Sequence, residues 1–313
     1  MPKLRQLEAR LQELQALRHQ PAGDRSIAVL RRALQSSTGV LVGNAARTAI
    51  ELRLERLIPD LLEAFDRLTH DPVQTDPGCL GKVEIVDALR QFGQREYDLF
   101  LAGSQYQQWE PIWGGREDRA SHLRGRCALA LADLGYADTL LVCGDLLADP
   151  DVETRVGAAD AIARYGSVYG IPLLRLRALS GERSPQVLET MFASLLALCP
   201  EKTSAIALIA RFLDSELDDV PAVAAIALGD ARHPEALVKL RAWSEMRATS
   251  DIYRTAYAAI VALRLSEAFD YLIAKVESGT AEESSMARDA LIPYRTDIAL
   301  WERVERAWTN REF

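Results

Sequence analysis

The sequence predicts an all-α chain, a right-handed α-α superhelix of about eight helical hairpins running as one array over residues 1–313. Three observations predict it. Alanine and leucine dominate the apolar residues, and both favour helix. Alternating runs rich in Val, Ile and Thr, the mark of strands, are nearly absent. Apolar residues recur at separations of 4, 3 and 4 in five segments, one of them with a polar first member, which puts each set on one face of a helix.

The five sets define the period. They are Leu123, Cys127, Ala130, Leu134; Val152, Val156, Ala159, Ala163; Ser184, Leu188, Met191, Leu195; Val220, Ala224, Ala227, Ala231; and Ile252, Ala256, Ala259, Leu263. Their second members step along the chain by 29, 32, 36 and 32 residues. Four of the five third members are alanine, and a small side chain at a fixed point lets neighbouring helices approach closely. Between the sets, Thr139–Leu147, Ile171–Leu179, Ala205–Leu213, Glu235–Trp243 and Ala268–Val276 carry apolar residues at helical spacing. Breakers such as Asp149-Pro150-Asp151, Gly181, Pro200, His233-Pro234 and Gly279 mark the joints. The unit is a helix-turn-helix of about 32 residues, and because one pair cannot bury both its faces it stacks on the next.

The ends read as caps. Residues 1–20 form a polar helix with one apolar seam, Leu4, Leu7, Leu11 and Leu14, which suits a lid on the array; a short coiled-coil dimer is the alternative. Residues 296–313 form a closing helix with Ile298, Trp301, Val304 and Trp308 on one face.

These residues resemble HEAT repeats, in particular the short bacterial type named after phycobilisome lyase subunits. The match is best in Asp149–Leu179, with the turn Asp149, the Val152 and Arg155 pair, the Ala158-Ala159 pair, Gly166 and Pro172; Ala120–Asp149 is a second good copy. Ser184–Asp214 departs from it, lacking the arginine and the alanine pair. The resemblance implies a solenoid with a binding role, and no single activity.

The period breaks at GSQYQQWEPIWGGREDRASHLRGR, Gly103–Arg126. The 103–118 insertion is long for a helix–helix connection, which spans about 2–8 residues. Tyr106, Trp109, Pro111, Ile112 and Trp113 are too apolar for disorder, and Gly114-Gly115 supply a sharp return. Two earlier connectors, Gln35–Gly39 and Thr69–Lys82, also join the first helix of a pair to its second, so all three should emerge on one rim. Trp, Tyr and Arg are the usual anchors of protein interfaces. The candidate binding residues are therefore Tyr106, Trp109, Trp113, Arg116, Asp118 and Arg119, with His70 and Asp71 beside them. The competing reading has the tryptophans plugging the gap that their own loop opens; both hold if Trp113 is buried and Trp109 faces a partner.

Signatures of catalysis are lacking. No HExxH, Walker A, GxGxxG or GxSxG pattern occurs. A metal or hydrolytic centre would have to gather His70, Asp71, Asp76, Asp118 and His122 from the long loops; turn chemistry explains those residues instead. Cys79, Cys127, Cys143 and Cys199 form no CxxC pair and read as reduced core residues. No catalytic residue, cofactor or metal is expected.

The formal net charge is −8, although residues 1–60 hold ten Lys/Arg against six Asp/Glu. That balance argues against a general nucleic-acid binder. The N-terminus shows no apolar secretory core, and no segment approaches a membrane span. The expectation is a cytoplasmic, non-enzymatic scaffold that binds another protein or peptide. The alternatives are an accessory subunit of a cofactor-attaching, phycobilin-lyase-like enzyme, suggested by the repeat type, and a HEAT-like DNA-repair glycosylase, ranked last on charge.

Overall fold

Small residues set how closely the helices approach, and that spacing builds the layers. The computed structural model describes residues 2–20, 23–247 and 249–311, with the side chains of residues 2–4 left out. The chain divides into two compact units, Met1–Gly170 and Ile171–Phe313.

In the first unit the helices are α1 (Pro2–Leu17), α2 (Asp24–Leu34), α3 (Gly39–Glu51), α4 (Ile58–Thr69), α5 (Pro72–Thr75), α6 (Leu80–Gln91), α7 (Tyr97–Ser104), α8 (Ser121–Asp133), α9 (Thr139–Leu147) and α10 (Val152–Tyr165). Helices α3, α6, α8 and α10 pack in succession as one layer. Helices α2, α4, α7 and α9 make the other, each joined to its partner as a hairpin. The layers meet over Leu30, Leu34, Leu41, Leu57, Leu61, Ile85, Leu89, Phe100 and Leu123, all fully buried.

The second unit repeats the plan with α11 (Ile171–Leu179), α12 (Pro185–Leu198), α13 (Lys202–Ala210), α14 (Val220–Asp230), α15 (Pro234–Arg247), α16 (Ser250–Ala262), α17 (Ser266–Ser278), α18 (Ala281–Leu291) and α19 (Ile298–Thr309). Helices α12, α14, α16 and α18 form the successive layer. Each unit is thus a HEAT-like pile of helical hairpins, as the 4-3-4 spacing predicts.

Local signals start and stop these helices. The Asp151 side chain accepts from the Glu153 amide at 2.9 Å, and Gly166 closes α10 at φ +75°. Thr280 and Glu283 form a reciprocal capping box on α18.

At the two ends one expected residue is corrected. Helix α1 lies on α2 and α3. Leu14 and Leu17 are its buried residues, Leu7 and Leu11 pack partly against the core, and the expected seam residue Leu4 lies outside the described side chains, as residues 312–313 lie outside the described chain. At the other end α19 packs on α17 and α18. Ile298 is exposed rather than part of the seal; Leu300, Val304 and Ala307 are buried instead. The Arg288 guanidinium lies over the rings of Trp301 and Trp308, at 5.7 and 4.7 Å, so the tryptophans cover a cation of the preceding helix.

Helices α8 and α10 meet backbone to backbone at glycine. A Cβ on Gly157 of α10 would lie 2.4 Å from the Cα of Gly125 on α8. A Gly→Ala change inside a helix ordinarily stabilises by up to about 1 kcal/mol. Here we expect Gly157→Ala to destabilise by roughly 1–3 kcal/mol through overpacking, read as a lower denaturant midpoint; a neutral or raised midpoint contradicts the close approach.

Candidate functional site

The segment expected as an aromatic loop folds as a β-hairpin, β1 (Trp109–Ile112) paired antiparallel with β2 (Gly115–Asp118). Trp113 and Gly114 make the turn, and Gly114 takes φ +91°, open to glycine at no steric cost. Trp109 and Ile112 suit a pleated surface. Four-residue strands are too short for alternation to show in the sequence, so the apolar pattern predicts a loop there and not a hairpin.

Three connectors meet at its base. The α2–α3 connector ends at Gly39, where a Cβ would lie 2.0 Å from Asp76 Oδ1. The α4–α6 connector meets the hairpin through Gln108. The Gln108 Nε2 donates to the Asp76 carbonyl at 2.8 Å and to Glu110 Oε1 at 2.7 Å. Its Oε1 accepts from the Cys79 thiol at 3.0 Å, and Glu110 Oε1 accepts from the Gly78 amide at 2.6 Å. Gln108 is 2% exposed, so its side chain serves as a buried hub.

Charges hold that hub in place. Asp76 and Lys82 are both fully buried, with Nζ 2.9 Å from Oδ2. The Asp76 carboxylate also accepts from the Gly81 and Lys82 amides, at 2.7 and 3.1 Å, and so caps α6. Lys82 Nζ donates to the Leu68 carbonyl at 3.1 Å and sits 5.6 Å from the centre of the Tyr106 ring. On the hairpin's other side Arg124, 4% exposed, binds Asp118 at 2.6 Å, Asp149 at 2.9 Å and the Tyr106 carbonyl at 2.9 Å. Arg155 donates to the carbonyls of Asp149 and Pro150, at 3.0 and 2.9 Å.

The same spacing recurs in all three: Asp76 and Lys82, Asp118 and Arg124, Asp149 and Arg155 lie six residues apart. That pattern is the available signal for Lys82, Arg124 and the hub, and the apolar period alone does not reveal it.

The expected site residues separate into two groups. Asp118 is structural: its carboxylate accepts from the Gln108 and Ala120 amides, at 2.8 and 3.0 Å, besides pairing with Arg124. Burial alone would raise its carboxyl, but those amides and the guanidinium outweigh it and hold the group below the usual carboxylate value. Tyr106 is half-buried against the core, its hydroxyl pushed up to about 12 by burial and then by the neighbouring Cys79, Asp76 and Asp118. Burial likewise pushes the Cys79 thiol up to about 12.

The exposed group is the tip. Trp113 is 102% exposed, which overturns the reading in which it is buried and plugs a gap; a two-residue turn projecting from short strands has no core to reach. Trp109 is 49% exposed, with its indole N–H donating to Gln107 at 3.2 Å. Arg116 and Arg119 are exposed, and Arg119 pairs with Glu117 at 3.1 Å. His70 and Asp71 lie exposed beyond α4; the His70 ring nitrogen is 2.9 Å from the Asp66 carbonyl, and neither residue makes a described contact with the hairpin.

The candidate metal or hydrolytic residues are not brought together. Asp76 and Asp118 are held by cations, and His122 is 4.0 Å from Glu153. Among the described residues no group of three or more His, Cys, Asp or Glu is placed to hold a metal ion, and no helix is long and apolar enough to cross a membrane. In the basic N-terminal section, Arg18, Arg31 and Arg47 are engaged by Glu51, Asp60 and Glu84.

Two outcomes follow from the anchor. Lys82→Met leaves the Asp76 carboxylate buried without its cation and should cost about 3–5 kcal/mol, measured by chemical denaturation, with Asp76→Asn added to Lys82→Met recovering part of the loss. Asp118 has a depressed carboxyl, so its contribution is complete above the ordinary value of 3.8 and is lost as pH falls through the lower folded value. The protection factors of the Gln108 and Arg119 amides, taken against the intrinsic pH dependence of exchange, should therefore fall only below the ordinary carboxylate value; loss of protection near neutrality would contradict the assignment.

No family model matches the sequence, and no curated protein matches it. Among solved structures, the complex of CpcE and CpcF of phycocyanin lyase from Nostoc sp. PCC7120 is similar, with 20% sequence identity over 76% of this chain and 91% of that chain and a TM-score of 0.39. The likeness is one of fold.

Proposed function

We propose that this chain is a protein-binding scaffold whose docking element is the hairpin 109–118. The observation that carries the reading is a fully exposed Trp113 on a turn whose base is fixed by buried ion pairs. Trp and Arg are the residues most enriched at binding hot spots. A rigid mount lowers the entropy lost on docking, so the exposed aromatic contributes more of its burial to affinity. Trp109, Ile112, Trp113 and Arg116 are the contact residues under this reading; Asp118, Arg124 and Gln108 position them. The polar residues at the hairpin base are engaged in holding it, and the proposal assigns no reaction to them. The four cysteines are free and buried, which fits a reducing, cytoplasmic setting.

The accessory-subunit reading stays second, supported by the repeat match in Asp149–Leu179; a tetrapyrrole absorbance retained through purification would move it first. Salt-sensitive retardation of duplex DNA would do the same for the glycosylase reading. For the docking reading, Trp109→Ala combined with Arg116→Ala should weaken partner capture about tenfold or more while helical circular dichroism and melting stay unchanged. A collapsed melt makes the hairpin structural and removes the reading.

A further inference from the structure

Beside the hairpin base lies a groove of about 280 Å³ between α3 and α6. Val40, Gly43, Leu80 and Val83 form its apolar lining, with Arg47 and His122 among its polar neighbours. Leu80 is 54% exposed although it opens α6. The groove is smaller than the roughly 300–1,000 Å³ of a drug-sized ligand site and suits one large side chain. Arg47 is paired there with Glu84, so the apolar lining and the His122 imidazole are what an aromatic ring would meet.

The same unit carries a matching knob. The hairpin base and the groove share Gly78, whose amide binds Glu110 and which lines the groove. Glu110 and Ile112 lie on one face of β1, the face turned towards that connector. The tip stands about 13 Å beyond its base, at roughly 3.3 Å per residue. At 102% exposed, Trp113 leaves its own groove open.

Resting on the docking reading, we infer that the hairpin tip of a second copy of this chain occupies this groove, each copy inserting Trp113 beside the other's Leu80. A twofold arrangement satisfies both contacts at once, since knob and socket sit on one rim. The area is adequate. Covering all of Trp113 and the exposed parts of Trp109, Ile112 and Leu80 removes roughly 600 Å² per chain, or about 1,200 Å² per pair, the lower end of specific interfaces. Such a pair should form at micromolar concentration and exchange readily.

The test is sedimentation velocity on the full chain from about 1 to 200 μM, a range set by micromolar association. The wild type should move from one chain to two as concentration rises. Trp113→Ala and Leu80→Glu should each remain single at concentrations where the wild type is paired. Leu80 is exposed and a carboxylate suits a helix start, so the fold should tolerate the change; Leu80→Gln replaces it if circular dichroism shows otherwise. The deciding sample mixes the two variants. It regains one of the two contacts, Trp113 of the Leu80→Glu chain in the intact groove of the Trp113→Ala chain. Association should reappear there, weaker than in the wild type and at least tenfold stronger than in either variant alone. A wild type that stays single throughout, a Trp113→Ala chain that pairs like the wild type, or a mixture no better than its components overturns the inference. A single-chain protein that still loses foreign-partner capture through Trp109 and Arg116 leaves the docking reading intact. A chain that pairs while its capture ignores those residues does the reverse.

Discussion

Taking a carboxylate and an ammonium wholly out of water is expensive, and the first unit does it between Asp76 and Lys82. The arrangement persists because each partner has further work. The carboxylate satisfies amides at the start of α6, and the ammonium meets the carbonyl at the end of the opposite helix, Leu68. One buried pair therefore fixes a connector to both of the helices it joins. Arg124 repeats the logic one hairpin later and extends it, since it reaches the aspartates at both neighbouring turns, Asp118 and Asp149. The position of every residue at the hairpin base depends on these cations.

The second unit solves the same problem differently. At the start of α12 the buried carboxylate is Glu182, 3% exposed, which accepts from the Arg183 and Ser184 amides at 3.0 and 2.9 Å. One cation on it is Arg177 of the preceding helix, at 2.7 Å, which precedes the turn. This is where the sequence departs from the repeat pattern by lacking an arginine, and the structure shows the charge supplied from the other side.

Periodicity makes the helices legible to the residue in places: Thr139–Leu147 and Ile171–Leu179 are α9 and α11 as expected. Apolar spacing reports a buried stripe, and stripes are what this architecture is made of. The hairpin is visible only as a break in that rhythm, because two four-residue strands give no stripe. Its exposed tryptophan runs against the general tendency of large apolar side chains to be inside. The anchoring residues are hidden for another reason. Lys82 and Arg124 lie within helices whose neighbours are apolar, and a charge there reads as surface until its partner is placed in space.

The hairpin leaves and re-enters the helical pile at nearly one point. The Gln108 carbonyl accepts from the Arg119 amide at 2.9 Å, and the Gln108 amide reaches the Asp118 carboxylate at 2.8 Å. Strand entry and exit are thus stitched together below the tip, and Glu110 is the residue above the stitch that reaches the connector beneath, through the Gly78 amide. Residues 111–117 make no described hydrogen bond to the helices, so what the tip presents is set separately from the layers that carry it.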